Sequence, residues 1–325
     1  MKFQTLDTPL VEWEEGGNRL QGCYHLTNAE YHTSQALSPS SSGSMLKAPL
    51  IYAMNREQDN DPSAAMVDGS AIHAIVLEPE RNLVPSLPQE LQPTAAPERP
   101  ALADGRAKAG TLGKELFLAW RPLNEAWAAT EEKRNLARAE WSAELSPDAI
   151  MMHGKRRARI FGCANALAKM LKDEGVDLST GLVEKCFFHT DEATGAYLRC
   201  KPDFFDPESG VIIDVKSARS AEGRAFKRQA ADLGYFRLAA MQWDVLELLG
   251  YNVSAYIFAV GESEAPHLTQ LFEYTDQDLD QGRRDWKRAA KLWIECESTG
   301  IWPGYPAGIG MLTIPGYLRD TDYDA

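Results

Sequence analysis

The chain has 325 residues, of which 44% are hydrophobic and 25% charged, an ordinary globular composition with enough sequence for one large domain or two small ones. Its 47 acidic and 34 basic residues leave a net charge of −13, which on its face argues against a nucleic-acid partner. No apolar run reaches the roughly 18 residues of a membrane span, and the start Met1-Lys2-Phe3-Gln4 carries no signal-peptide core. Five scattered cysteines (Cys23, Cys163, Cys186, Cys200 and Cys296) show neither zinc spacing nor an even disulfide count, so a reducing cytoplasm is the expected setting.

Residues 1–22 read as a loosely structured lead. Leu26-Thr27-Asn28-Ala29-Glu30-Tyr31 offers a cap and a short helix. The serine run Ser38 to Ser44 reads as a cap for a helix over Met45 to Met54, in spite of Pro49. Asp59 to Pro62 is a turn. Asp68-Gly69-Ser70 then starts a short apolar helix, Ala71 to Leu77, stopped by Pro79. His73 lies inside it, and from spacing alone it reads as a core histidine bonded to a carbonyl. Asn82 to Pro100 is rich in proline and polar residues and reads as an irregular excursion. Gly113 to Glu144 is a long, alanine-rich, charged helical region carrying Trp120, Trp127 and Trp141, with Pro122 placed to start or kink a helix. Ser146-Pro147-Asp148 has the chemistry of a helix start. The helix it opens runs to about Lys172 and carries Lys155, Arg156, Arg157 and Arg159, whose plain reading is a solvated face.

Leu182 to His189 reads as a strand with Glu184 near its start. Tyr197 to Phe205 reads as one strand and Val211 to Lys216 as another, β-branched and apolar, joined through the turn residues Asp206-Pro207-Glu208-Ser209-Gly210. Ser220 to Gly250 is helical, broken near Gly234. Tyr251 to Val260 and Leu268 to Tyr274 are strands. Asp276 to Thr299 is a helix closed by Gly300, and its Leu279, Trp286 and Trp293 recur every seven residues as a core stripe. This order predicts an α/β (α+β) core, a central mixed β-sheet flanked by helices, with a mostly helical N-terminal half around it.

The chemistry concentrates in the hairpin. Residues two apart on a strand share a face, so Asp214 and Lys216 project together while Val215 turns away. Asp203 brings a second carboxylate near the end of the first strand. Mg²⁺ takes hard oxygen ligands and keeps several waters, so two or three carboxylates suffice to hold it. Such an ion polarises a phosphoryl oxygen or lowers the pKa of a bound water, and a lysine beside it can hold the attacking water or the developing oxyanion. Pro202-Asp203 followed by Asp214-Val215-Lys216 is the pattern of the PD-(D/E)-x-K nucleases.

The resemblance extends over most of the chain. Leu26 to His32 with Leu37-Ser38-Pro39-Ser40, Asp68 to His73 with Val76-Leu77-Glu78-Pro79, Glu184, Arg199-Cys200-Lys201-Pro202-Asp203, Ile213 to Ser217 and Trp302-Pro303-Gly304-Tyr305 are each similar to elements of the RecE-type (exonuclease VIII) branch of that superfamily. The resemblance implies a single exonuclease domain over 1–325, with a mostly helical part over 1–175 and the sheet core over 176–325. It implies that His73, Asp203 and Asp214 are metal ligands, with the Val215 carbonyl as another. It makes Lys216 the catalytic lysine and gives Glu184 a part in positioning a metal or its water. Tyr235 fits a family tyrosine on the following helix. Leu238 stands where the family has a glutamine, and Gln242, one turn on and on the same helical face, is the candidate substitute. The implied activity is Mg²⁺-dependent (with Mn²⁺ able to substitute) 5′-to-3′ degradation of linear duplex DNA, leaving a 3′ single strand for recombination. The implied partners are DNA ends, a homo-oligomeric ring and a single-strand annealing protein, with no membrane. DNA contact despite the net charge falls to local cations, the Lys155–Arg159 run and the group Arg224, Lys227 and Arg228. A restriction-like or repair endonuclease of the same superfamily, and a non-catalytic DNA-binding or assembly protein retaining the fold, are the alternatives.

Overall fold

The computed structural model describes residues 21–57, 62–81, 83–100, 110–145 and 149–313. Hydroxyl caps open the first helices. Helix α1 (Asn28–Thr33) starts with a reciprocal cap in which the Glu30 N–H donates to the Thr27 hydroxyl and the Thr27 N–H donates to the Glu30 carboxylate. Ser38 caps α2 (Pro39–Lys47) in the same way with Ser41. The single helix expected over Met45 to Met54 is in fact two. Proline is tolerated in a first helical turn but not further in, so α2 ends before Ala48 and α3 (Pro49–Glu57) begins on Pro49. Helix α4 (Ala64–Leu77) starts earlier than Ala71, because Ser63 is the cap and accepts from the Met66 N–H.

The proline-rich excursion is docked rather than free. It lies along α5 (Gly110–Ala143), where Trp120 Nε1 donates to the Pro97 carbonyl (3.0 Å), Trp127 Nε1 to the Thr94 carbonyl (3.1 Å) and Arg138 Nε to the Leu91 carbonyl (2.6 Å). Pro122 lies inside α5. The helix start expected at Ser146-Pro147-Asp148 lies outside the described residues, as do 1–20 of the lead and most of the Asp59 turn; helix α6 spans Gly154–Asp173.

Two sheets follow from two breaks in the expected strands. The Leu182–His189 strand divides at Glu184, whose φ of 50° is left-handed, into β2 (Leu182–Val183) and β3 (Cys186–Thr190). The Tyr197–Phe205 strand divides at Lys201-Pro202-Asp203 into β4 (Tyr197–Cys200) and β5 (Phe204–Asp206), where Pro202 has no N–H to give a ladder. The two breaks lie side by side, joined by the Glu184 N–H donating to the Asp203 carbonyl (3.0 Å). At this joint the chain passes between a three-stranded sheet, ordered β1-β3-β4 with β1 (Gly22–Tyr24) from the lead, and a five-stranded sheet.

The larger sheet is ordered β2-β5-β6-β7-β8, with β6 spanning Val211–Ala218, β7 Ala255–Glu262 and β8 Thr269–Glu273. Strands β6 and β7 are parallel and all other pairs antiparallel. The parallel pair requires a long crossover, supplied by α7 (Gly223–Leu233) and α8 (Tyr235–Leu248). Between them Gly234 takes φ 69°, and a Cβ there would meet the Arg237 guanidinium at 2.5 Å. Helix α9 (Asp276–Thr299) closes the fold, and its stripe Leu279, Trp286 and Trp293 is buried as the spacing predicts.

Alternation along β6 sorts the core into two. Ile213 and Val215 face a cluster with α4 and α6, while Ile212 shares the opposite face with Tyr256, Phe258, α8, α9 and the small sheet. Among the described residues no helix is long and apolar enough to cross a membrane.

Candidate metal centre

Strand β5 pairs with β6 only from Val211 to Ile213, whereas β6 runs on to Ala218. Along its other edge β6 is fully paired with β7. Beyond Ile213, then, the outer edge of β6 has backbone groups that no strand among the described residues answers, and buried backbone groups must find partners. Two side chains supply them. Asp203, at the start of β5, accepts the Val215 N–H through Oδ2 at 2.7 Å. His73, from α4, donates Nε2–H to the Val215 carbonyl at 2.7 Å. The histidine reading drawn from spacing, a partner carbonyl, holds, and the same residue also sits among acids.

The imidazole's other nitrogen, Nδ1, lies 3.6 Å from Asp203 Oδ1 and 3.6 Å from Glu184 Oε1. His73, Glu184 and Asp203 thus present three ligand atoms within 4.8 Å of one another. Glu184 reaches this cluster because its left-handed backbone and its bond to the Asp203 carbonyl place both acids at the joint between the sheets. Lys201, from the same joint, pairs with Glu184 and also donates to Asn28 Oδ1 at 2.9 Å.

Asp214 and Lys216 emerge on the opposite face of β6, as their two-residue spacing predicts, and pair with each other. Asp214 is 2% exposed, and its Oδ2 accepts from the Tyr256 hydroxyl at 3.0 Å. The tight cluster therefore contains Glu184, expected only as a helper, and not Asp214, expected as a ligand: the Asp214 carboxylate leaves β6 on the α8 face, whereas His73 approaches from the α4 face. The Val215 carbonyl lies between the two groups, 2.7 Å from His73 Nε2 and 3.5 Å from Lys216 Nζ.

Electrostatics bind these groups into one unit. Burial alone would lower His73, but the Asp203 charge and the Glu184 carboxylate outweigh it and raise the imidazole to about 9. Burial pushes Asp203 up to about 6, with the His73 charge opposing and the Asp214 charge adding. Burial would raise Glu184, but His73 and Lys201 hold it below the ordinary glutamate range. Burial would lower Lys216, but Asp214 and Asp203 hold it well above an ordinary lysine, so it is an ammonium at neutral pH. A hard divalent cation fits this donor set of two carboxylates and an imidazole.

The remaining expected residues divide. Tyr235, first residue of α8, stacks on Phe258 (5.6 Å, 13°), with Lys216 Nζ 5.5 Å from its ring centroid, and so lines the lysine side of the site. Gln242 shares Tyr235's helical face but is 5% exposed and meets the Tyr256 hydroxyl at 3.0 Å. It lies behind the site, since the Tyr256 hydroxyl stands between it and Asp214. Arg224, Lys227 and Arg228 are exposed on α7, and among the described residues none of them forms an ion pair. Phe226 anchors α7 by stacking on Phe272 (4.8 Å) beside Tyr235 (6.2 Å), which sets these cations on the lysine side of the sheet. The Lys155–Arg159 run is not free surface charge: Arg156 and Arg159 both bond Asp68 (2.7 and 2.6 Å), Arg159 also bonds Glu264, and Arg157 lies over the Phe161 ring. Sequence reasoning missed Lys201 and Tyr256. Lys201 stands inside the Arg199–Asp203 motif, where its place next to Pro202-Asp203 was a signal; Tyr256 left none.

A mixed sheet with this helical cover, and a histidine and acids gathered at one open strand edge, define a PDDEXK-like fold with a candidate metal centre. Residues 41–312 match a PDDEXK-like domain of unknown function (DUF3799), and the chain belongs to that family. No curated protein matches the sequence. Among solved structures, the fold is similar to that of an Eubacterium rectale protein described as a "Putative exonuclease", with a TM-score of 0.51 over 86% of this chain and 89% of that one, at 12% identity. At that identity the likeness speaks for the fold alone.

Proposed function

We propose that the protein is a metal-dependent exonuclease that hydrolyses phosphodiester bonds of linear double-stranded DNA. The observation that carries this reading is the arrangement about Val215: His73, Asp203 and Glu184 clustered on one side of the β6 edge, and the Asp214–Lys216 pair on the other. Once the His73 Nε2 proton is lost, His73, Asp203 and the Val215 carbonyl would hold the ion with Glu184 beside them, and Asp214 would complete the set from the Lys216 side of Val215; Mg²⁺ suits these ligands and Mn²⁺ can replace it. The bound ion would supply Lewis acidity toward a phosphate oxygen and a more acidic water.

The chain's own groups divide the remaining work. Lys216 stays protonated, so Nζ acts as a donor to the developing charge at the phosphate rather than as a base. Asp214 holds that ammonium in place. Glu184, kept ionised, accepts a proton from water or orients it. Tyr235 narrows the site over Lys216, and Arg224, Lys227 and Arg228 offer phosphate contacts for the approaching duplex. The RecE-type resemblance extends the reading to 5′-to-3′ polarity, a 3′ single-stranded product for recombination, a ring-shaped homo-oligomer and an annealing partner protein.

The test is digestion of end-labelled linear duplex with Mg²⁺, beside covalently closed circles and the variants Asp214→Ala and Lys216→Ala. Loss of label from linear DNA by the native protein alone is the expected result. Cutting of closed circles would replace the exonuclease by an endonuclease, and no cleavage by any form would leave a non-catalytic DNA-binding protein.

A further inference from the structure

Behind Asp214 lies a buried polar chain that the ligand set does not explain. Tyr256, on β7 and 1% exposed, has its hydroxyl 3.0 Å from Asp214 Oδ2 and 3.0 Å from Gln242 Oε1. A phenol has one proton and cannot donate to both. An ionised carboxylate only accepts, whereas a carboxamide turned by 180° presents its NH₂ instead of its oxygen. The proton therefore goes to Asp214, and Gln242 donates to the Tyr256 oxygen. The chain runs in one direction, from α8 through β7 to β6.

This polarity has a consequence for the site. With Oδ2 held by Tyr256, the Asp214 carboxylate is fixed in rotation, and Oδ1 is the oxygen that meets Lys216. We propose that Tyr256 is a positioning residue for the metal centre, acting through Asp214, whose carboxylate sets the direction of the hydroxyl while Gln242 donates to its oxygen from behind. The inference rests on the metal-dependent reading above. It assigns Gln242 to the support behind the site instead of to the substrate. Three polar side chains, all buried, are costly to hold in an apolar layer unless each is satisfied, and here each satisfies the next.

The experiment is calorimetric titration of Mn²⁺ into the full chain and into Tyr256→Phe, which removes one oxygen and keeps the ring. Supporting groups behind a metal ligand are worth roughly 10- to 100-fold in metal affinity, so the Mn²⁺ Kd of Tyr256→Phe should rise at least about tenfold. Two changes at Gln242 test the direction. Gln242→Met leaves the Tyr256 proton on Asp214 and should change the Kd by less than about threefold. Gln242→Glu competes for that proton and should weaken Mn²⁺ as Tyr256→Phe does. In Tyr256→Phe/Gln242→Met the second change should add nothing to the first, because Gln242 acts only through the hydroxyl. An unchanged Kd in Tyr256→Phe overturns the proposal while native Mn²⁺ binding leaves the metal centre standing. Failure of the native chain to bind Mn²⁺ overturns both. Should Tyr256→Phe not fold, equal Kd values for Gln242→Met and Gln242→Glu overturn it.

Discussion

Metal binding at this centre must compete with a proton, and the competition can be counted. His73 carries its proton up to about pH 9 because Asp203 and Glu184 flank it. An imidazole binds metal only when neutral. At pH 7, about two units below that pKa, removing the proton costs ~2.7 kcal/mol, so the affinity should stand about 100-fold below its value above pH 9. Between pH 6.5 and 8 the Mn²⁺ Kd should fall about tenfold per pH unit, with close to one proton released per ion. Below about pH 6 Asp203 takes up a second proton and the dependence should steepen. The metal-free fold moves the other way. A group whose pKa is raised on folding stabilises most below its unfolded value, near 6.5 for histidine, and loses that contribution as pH rises through 9. Calorimetry in two buffers of different ionisation enthalpy measures affinity and proton release together. His73→Gln should bind more weakly, with the slope between pH 6.5 and 8 abolished. A native Kd that does not change over that range, with no proton released, would refute the assignment of His73 as a protonated ligand whose proton the metal displaces.

Lys216→Ala should lower kcat on linear duplex by about 10² to 10³ without weakening Mn²⁺, because it removes a cation from beside the centre; a weakened Mn²⁺ Kd would place Lys216 in the ion's support instead. Replacing Arg224, Lys227 and Arg228 together by alanine should flatten the plot of log K against log salt by roughly 0.9 for each phosphate that these cations neutralise, measured by fluorescence anisotropy of labelled duplex. Arg156→Ala should leave that slope unchanged, since its charge is spent on Asp68. Gly282→Ala should lower the urea midpoint by an amount equivalent to about 1–3 kcal/mol, because its Cβ would lie 2.3 Å from the Phe236 carbonyl and 2.8 Å from Ala240 Cβ, where α9 crosses α8.

What could be read from the sequence was what local rules decide. The period of Leu279, Trp286 and Trp293 fixes a buried face on any helix. The Asp214-Val215-Lys216 alternation fixes which side chains share a face on any strand. Thr27 and Ser38 carry caps that work wherever they stand. The breaks at Glu184 and at Lys201-Pro202-Asp203 were hidden because a strand that changes sheets looks, residue by residue, like one that continues. Those breaks put Glu184 into the cluster. Gln242 shows a second limit. Its helical face was right, but a face does not name its neighbour, and the neighbour is Tyr256 rather than open space. The ion pairs of Arg156 and Arg159 could not be read for the same reason, their acids lying far away in sequence at Asp68 and Glu264.

The unpaired reach of β6 also bears on solubility. A strand edge with free N–H and C=O groups is a template for another chain, and native proteins cover such edges or blunt them with charge. Here the blunting is done by His73 and Asp203, which take the Val215 hydrogen bonds. The groups proposed to bind metal therefore also cover the stretch of β6 beyond Ile213 that β5 leaves unpaired. Alanine at both positions removes the ligands and uncovers that stretch at once. Asn at 203 and Gln at 73 keep a hydrogen-bonding group at each place, so they separate the loss of chemistry from the loss of a soluble fold.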